Sequence, residues 1–133
     1  MTPADIDLVK ESYAWVKPIS EVAAELFYQR LFLIAPEVKP LFKGDMKEQG
    51  RKLMMTTGSV VNALDRLETI LPTVKELAVR HVGYGVRDEH YDKVGSALLW
   101  TLETGLGAPF TKSHSAAWGE AYAALSGVMR KAA

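Results

Sequence analysis

Thr69-Ile70-Leu71-Pro72-Thr73-Val74-Lys75-Glu76-Leu77-Ala78-Val79-Arg80-His81 reads as a short helix that ends on a histidine. Pro72 starts it, because a proline fits the first turn of a helix and not its interior. Gly83 and Gly85 follow just beyond its end. Leu77 and Ala78 precede His81 by four and three residues, so the imidazole shares a helix face with apolar side chains. A histidine so placed is either a satisfied core or helix-end residue or a ligand, and the stretch alone leaves both readings open.

The rest of the chain continues the helical pattern on both sides. Ala, Leu, Glu and Lys dominate, and no alternating strand pattern bounded by hairpin turns occurs. A first helix begins after Thr2, a good N-cap, with Pro3 in its first position, and ends at Pro18. Ser20 is expected to cap a second helix carrying Val22, Leu26, Phe27, Leu31 and Phe32. Ala35-Pro36 breaks it into a short helical turn to about Leu41, followed by an irregular link, Phe42-Lys43-Gly44-Asp45. The next helix is expected from Met46 to Leu64, with Gly50 and Gly58 marking places where something packs closely. Arg66 to Leu71 reads as a connector. Asp88 is expected to cap a helix running to about Gly105, and Thr111 to cap a last helix reaching the terminus. That makes six principal helices in one domain, 1–133, the domain number expected at this length.

Composition excludes several classes of function. Sixteen basic residues balance sixteen acidic ones, which argues against a general nucleic-acid binder and against a polybasic membrane anchor. There is no cysteine, hence no disulfide, thiolate metal site or thiol catalysis. No apolar run approaches the ~18 residues of a membrane span, and Met1-Thr2-Pro3-Ala4-Asp5 does not resemble a secretory leader, so the cytoplasm is the expected location. No Gly-x-Ser-x-Gly elbow, phosphate loop or His-Glu-x-x-His motif is present. His90 and His114 are expected at the surface, near helix starts.

One constellation remains: Tyr28 in the second helix, Phe42 after the short turn, Gln49 and Leu53 four apart on one helix face, His81, and Tyr91 ten residues later. Each has an ordinary structural reading when taken singly. Together with the strings Leu26-Phe27-Tyr28-Gln29-Arg30-Leu31-Phe32, Ala35-Pro36-Glu37-Val38-Lys39-Pro40-Leu41-Phe42, His90-Tyr91-Asp92-Lys93-Val94-Gly95 and Ala117-Trp118-Gly119-Glu120-Ala121-Tyr122, they resemble the globin family over nearly the whole chain. The resemblance is to single-domain bacterial globins and to the globin half of flavohaemoglobins.

The resemblance implies an all-α, three-over-three helical sandwich around one haem b. It makes His81 the iron ligand, with its second ring nitrogen donating to a backbone carbonyl one turn earlier, that of Leu77. Phe42 would stack on the porphyrin, Leu53 would form the distal wall and Val94 the proximal wall. Tyr91 would orient the histidine. The glutamate that works with this tyrosine in flavohaemoglobins maps to about Ala133 and is therefore missing. Tyr28 and Gln49 would donate hydrogen bonds to a diatomic ligand bound at five-coordinate iron. Lys52 and Arg80 are the nearest cations for the haem propionates, with an ordinary solvated role as the alternative. The implied function is reversible binding of dioxygen, and of carbon monoxide or nitric oxide, for storage, oxygen transport or sensing. The alternative is enzymatic, a nitric oxide dioxygenase or nitrite reductase served by a separate reductase.

Overall fold

The structure is a computed structural model and describes residues 1–132. Six α-helices account for most of the chain: α1 (Pro3–Val16), α2 (Ser20–Ile34), α3 (Met46–Asn62), α4 (Leu71–Gly83), α5 (Asp88–Leu106) and α6 (Lys112–Ala132). Tight 3₁₀ turns connect α1 to α2 (Lys17–Ile19), follow α2 (Pro36–Leu41) and join α3 to α4 (Leu64–Thr69). Helices α1, α3 and α4 lie over α2, α5 and α6. The most extensive packing is between α2 and α5, α1 and α6, and α4 and α6.

Local chemistry sets several helix ends. Thr2 caps α1 as expected, in a reciprocal box: its hydroxyl accepts from the Asp5 N–H at 3.1 Å while the Asp5 carboxylate accepts from the Thr2 N–H at 3.1 Å. Asp45 caps α3 through the Lys47 N–H at 3.0 Å. The Thr111 hydroxyl caps α6 through the His114 N–H at 3.4 Å.

Three boundary expectations and two burial expectations need correction. Ser20 is the first residue of α2 rather than its cap, because the preceding 3₁₀ turn runs directly into the helix. Asp88 likewise lies inside α5, and Arg87 occupies the cap position. Helix α3 stops at Asn62, and the stretch read as its end and a connector forms the 3₁₀ turn Leu64–Thr69. Two histidines expected at the surface are buried. His90 is 6% exposed, its Nδ1 accepting from the Arg87 N–H at 3.0 Å. His114 is 5% exposed, and its Nε2 lies 3.1 Å from the Glu11 carboxylate on α1. A histidine near a helix start can satisfy the first N–H groups as a capping acid would, and that local bond turns the ring inward.

The core has three buried clusters. The largest joins α1, α5 and α6 around Val9, Tyr13, Leu102 and Trp118. It holds one buried polar pair, in which the Trp118 Nε1–H donates to Ser12 Oγ at 2.8 Å. A second gathers Phe27, Tyr28, Leu31, Ala35, Val38 and Ala97. A third gathers Val74, Ala78, Tyr91 and Met129 behind α4. The two glycines inside α3 do mark close contacts. A Cβ on Gly50 would lie 3.0 Å from the Ala24 Cβ, and one on Gly58 would lie 2.8 Å from the Tyr13 hydroxyl. The first contact seats α3 against α2 and thereby brings Gln49 over Tyr28.

Candidate functional site

Helices α3 and α4 follow one another in the chain, yet they barely touch. Each packs on the 3₁₀ turn between them, α3 also on α2 and α1, and α4 on α6. The two helices therefore form the walls of a crevice. At its edge the turn after α4 meets the turn after α2: a Cβ on Gly85 (φ +95°) would lie 3.2 Å from Leu41 Cδ2. That approach and that φ suit glycine alone.

Around Tyr28 the structure brings together four of the expected residues, among them Val94 of α5, which the resemblance set on the proximal wall. Tyr28 belongs to the cluster against which Phe42, Leu53 and Val94 pack. Leu41, Phe32 and Leu98 join the same wall, and the residue-by-residue reading did not name them as site residues. Phe32 was recoverable, since it stands four residues after Tyr28 on one helix face. Its ring centroid lies 5.9 Å from that of Tyr28 and 5.5 Å from that of Phe42, and Tyr28 and Phe42 are 5.3 Å apart. These distances suit aromatic packing, and the three rings hold one another in place.

The two polar residues of this wall are engaged with backbone carbonyls. The Tyr28 hydroxyl donates to the Gln49 carbonyl at 3.2 Å, and the Gln49 side-chain amide donates to the Lys43 carbonyl at 3.1 Å. Burial pushes the Tyr28 phenol up to about 12, so it remains a neutral donor at physiological pH.

On the other side, α4 carries His81. Its Nδ1 lies 2.8 Å from the Leu77 carbonyl, the partner expected from the sequence. A carbonyl can only accept, so Nδ1 holds the proton, and Nε2 is the nitrogen with a free lone pair. No hydrogen-bond partner for Nε2 occurs among the described residues. Burial lowers the His81 pKa; the Leu77 bond opposes this and the neighbouring Arg80 charge adds to it. The ring is therefore held neutral, in one tautomer and one orientation, as a metal-binding imidazole must be.

Tyr91 is buried behind α4 with Val74 and Ala78, and Leu77 and Val86 pack on the same cluster. It adjoins His81 through those two residues: Leu77 supplies the carbonyl, and the Val86 N–H donates to the His81 carbonyl at 3.0 Å. The Tyr122 hydroxyl donates to the Tyr91 carbonyl at 2.5 Å, and the Arg130 guanidinium stands 5.3 Å from the Tyr91 ring centroid. Sequence reasoning missed both contacts. Ala133, where the absent glutamate would fall, lies outside the described residues. Lys52 and Arg80 are exposed and form no ion pair among the described residues. Nor do any three His, Cys, Asp or Glu side chains come together there as a metal site.

Comparison with known proteins identifies the family and the fold. A family model described as Globin matches residues 25–129. The chain belongs to the globin family. Among relatives of this globin, a flavohemoprotein of Bacillus cereus is 32% identical over 91% of the chain and 30% of that protein. One of Xylella fastidiosa is 27% identical over 97% of the chain and 33% of that protein. The globin thus spans about a third of the length of these relatives. Among solved structures, a bacterial globin from Campylobacter jejuni superposes with a TM-score of 0.84 at 28% identity, covering 98% of this chain and 97% of that one. An engineered carbene transferase from Rhodothermus marinus superposes with a TM-score of 0.88 at 23% identity, covering 98% and 92%, and shows the same fold. No helix of the globin, among the described residues, is long and apolar enough to cross a membrane.

Proposed function

We propose that this globin, as one domain over residues 1–133, holds one haem b in the α3–α4 crevice and reversibly binds dioxygen and other diatomic gases there. The observation that carries the reading is His81: a half-buried imidazole with Nδ1 fixed to the Leu77 carbonyl at 2.8 Å and Nε2 without a partner among the described residues. The apolar wall of Leu41, Phe42, Leu53 and Val94 suits a flat macrocycle, and burying a large apolar surface against it is worth several kcal/mol at roughly 25 cal/mol per Å². The chain has no cysteine, so a covalent thioether link is impossible, and non-covalent haem b is the form that fits.

Haem iron, when bound, would be held by His81 and would supply the centre at which a diatomic gas is taken up. The protein's part is binding, orientation and exclusion of water. His81 anchors the iron. Phe42, Leu53 and Val94 keep the crevice dry. Tyr28 and Gln49 are donors that must leave carbonyl acceptors to reach a ligand. A diatomic that gathers negative charge attracts an O–H or N–H more strongly than a neutral carbonyl does, by roughly twofold in hydrogen-bond strength. Lys52 and Arg80 are free to pair with carboxylates at the crevice edge.

The flavohemoprotein relatives favour a second, enzymatic use of the same site: oxidation of nitric oxide to nitrate by dioxygen, or reduction of nitrite, with electrons from a reductase. A cytoplasmic location suits either role.

Absorption spectroscopy tests the proposal. Protein purified with haem supplied should show a Soret band that shifts with carbon monoxide after reduction. His81→Gly should lose haem unless imidazole is added, because free imidazole can occupy the vacated ligand position. A stoichiometric Soret band that survives in His81→Gly without imidazole would overturn the assignment. Stopped-flow mixing of the dioxygen-loaded protein with nitric oxide, followed by a reductase-coupled assay, separates the two roles.

A further inference from the structure

Charge is unevenly distributed along this neutral chain. Residues 1–38 carry six acidic side chains against three basic ones. The fourteen residues from Lys39 to Lys52 reverse this, with Lys39, Lys43, Lys47, Arg51 and Lys52 against Asp45 and Glu48. All five cations are exposed. Arg51 is paired with Glu48, and no ion pair engages the four lysines among the described residues.

This basic strip forms the lip of the crevice. Phe42 and Gln49 come from the same stretch and Leu53 follows it directly, and Phe42 and Leu53 pack on the Tyr28 cluster. The strip also touches the pocket wall directly: Lys43 lends its carbonyl to the Gln49 amide, and the Lys39 ammonium sits 5.9 Å from the Phe32 ring centroid. Five cations against two carboxylates leave this stretch with a net charge of +3 (5 − 2). That charge creates a local positive field at the lip of the crevice.

We infer that the strip Lys39–Lys52 is the docking face for the acidic surface of an electron-donor protein, one that passes single electrons from a reduced flavin. The inference rests on the haem reading above. The donor's flavin hydroquinone anion gives up one electron and becomes the neutral semiquinone; ferric iron takes that electron and becomes ferrous, with no proton gained or lost by the flavin. An acidic protein fits better than an anionic membrane, because the strip's cations are interrupted by Asp45 and Glu48. The exposed methionines of α3, Met46 and Met55, also lie nine residues apart on opposite sides of the helix, so they form no apolar stripe that could enter a bilayer.

The test uses the haem-loaded protein and flavodoxin, an acidic flavin protein, as the probe. Binding of fluorescently labelled flavodoxin is followed by anisotropy from 20 to about 300 mM salt, and stopped flow follows reduction by flavodoxin hydroquinone. Two double variants change net charge equally: Lys43→Glu with Lys47→Glu in the strip, and Lys112→Glu with Lys131→Glu on α6. The strip variant should lower both affinity and second-order rate by about tenfold or more at low salt, the α6 variant by less than about threefold, and high salt should erase the difference. Equal losses in the two variants, or salt-independent binding, would overturn the docking face. So would strip-dependent binding to phosphatidylglycerol vesicles with no binding to flavodoxin. A protein without a Soret band, or one that dithionite fails to reduce, would instead refute the haem reading, so the two failures are distinguishable.

Discussion

Replacing Tyr28 by Phe removes one oxygen from the middle of the candidate pocket and leaves its packing almost unchanged. The ring would still meet Phe32 and Phe42, whose centroids lie 5.9 and 5.3 Å away. What is lost is one donor. In this structure that donor reaches the Gln49 carbonyl at 3.2 Å, at the long end of the normal range. Gln49 lies inside α3, where its carbonyl also serves the helix ladder. The loss should therefore cost only about 0.5–1 kcal/mol of folding stability, the low end for a neutral hydrogen bond. Gas binding should respond differently. If the hydroxyl turns to a negatively charged ligand, the bond is worth about 1.5–3 kcal/mol, or roughly 10- to 150-fold in dioxygen dissociation rate. Carbon monoxide, which gathers less charge, should lose much less. The assay is stopped-flow displacement of dioxygen by carbon monoxide, beside a denaturant titration of both proteins. A dissociation rate unchanged within about threefold, with stability lowered as stated, would show that Tyr28 keeps its carbonyl partner when the site is filled, and the distal-donor reasoning would be wrong.

Other perturbations test the frame. Gly50→Leu should push α3 away from α2, because even a Cβ there lies 3.0 Å from that of Ala24; a stability loss of about 1–3 kcal/mol by urea denaturation is expected, with altered gas kinetics. Trp118→Phe should lower the melting temperature by roughly 5–10 °C in calorimetry, since it removes the 2.8 Å bond to Ser12 from the core and part of the ring's burial. Alkaline titration should destabilise the protein in a defined direction: burial raises the phenols of Tyr28 and Tyr122 above the ordinary value of 10.0, so the unfolded chain releases their protons first. Their contribution should be complete below pH 10 and lost as pH rises through about 12 for Tyr28, and Tyr28→Phe should flatten the decline in denaturation curves taken across that range.

The helices were legible where sequence and local physics coincide. Thr2, Pro3 and Asp5 specify a capping box by themselves, and Pro72 with the glycines after His81 brackets α4. His81 and its Leu77 partner were legible for a related reason: a ring nitrogen and the carbonyl one turn back meet within a single helix, whatever lies around it. His90 and His114 were misread because polarity was taken to mean exposure. Each satisfies a backbone N–H near a helix start, and His114 then reaches Glu11, 103 residues away in sequence. A contact at that separation has no local signature. The same holds for Arg130 over Tyr91 and for Tyr122 bonded to the Tyr91 carbonyl, which depend on how α6 crosses α5.

The crevice itself follows from which contacts the chain does not make. A short link between consecutive helices usually lets them pack as a hairpin. Here the 3₁₀ turn Leu64–Thr69 contains Arg66 at φ −148° and ψ 50°, a non-helical break that redirects the chain. Helix α3 is then held from behind by the Ala24–Gly50 approach and by the Tyr13 hydroxyl, which donates to the Met54 carbonyl at 3.0 Å. Helix α4 is held by Val74 and Ala78 against the cluster that includes Met129 of α6. Each wall is thus fixed to a different part of the core, and collapse of one onto the other would break contacts already made. Leu41, Phe42, Leu53 and Val94 stay only half-covered as a result. Leaving such side chains partly exposed forgoes a few kcal/mol of burial at roughly 25 cal/mol per Å². A flat apolar guest that fills the gap recovers that burial without moving either helix. The bound state should therefore differ little in backbone from this structure, and the gain on loading should appear as a large rise in melting temperature with almost no change in helix content by circular dichroism. A loaded protein with clearly more helix than the free one would mean that α4 folds only around its guest, and that the crevice is not preformed.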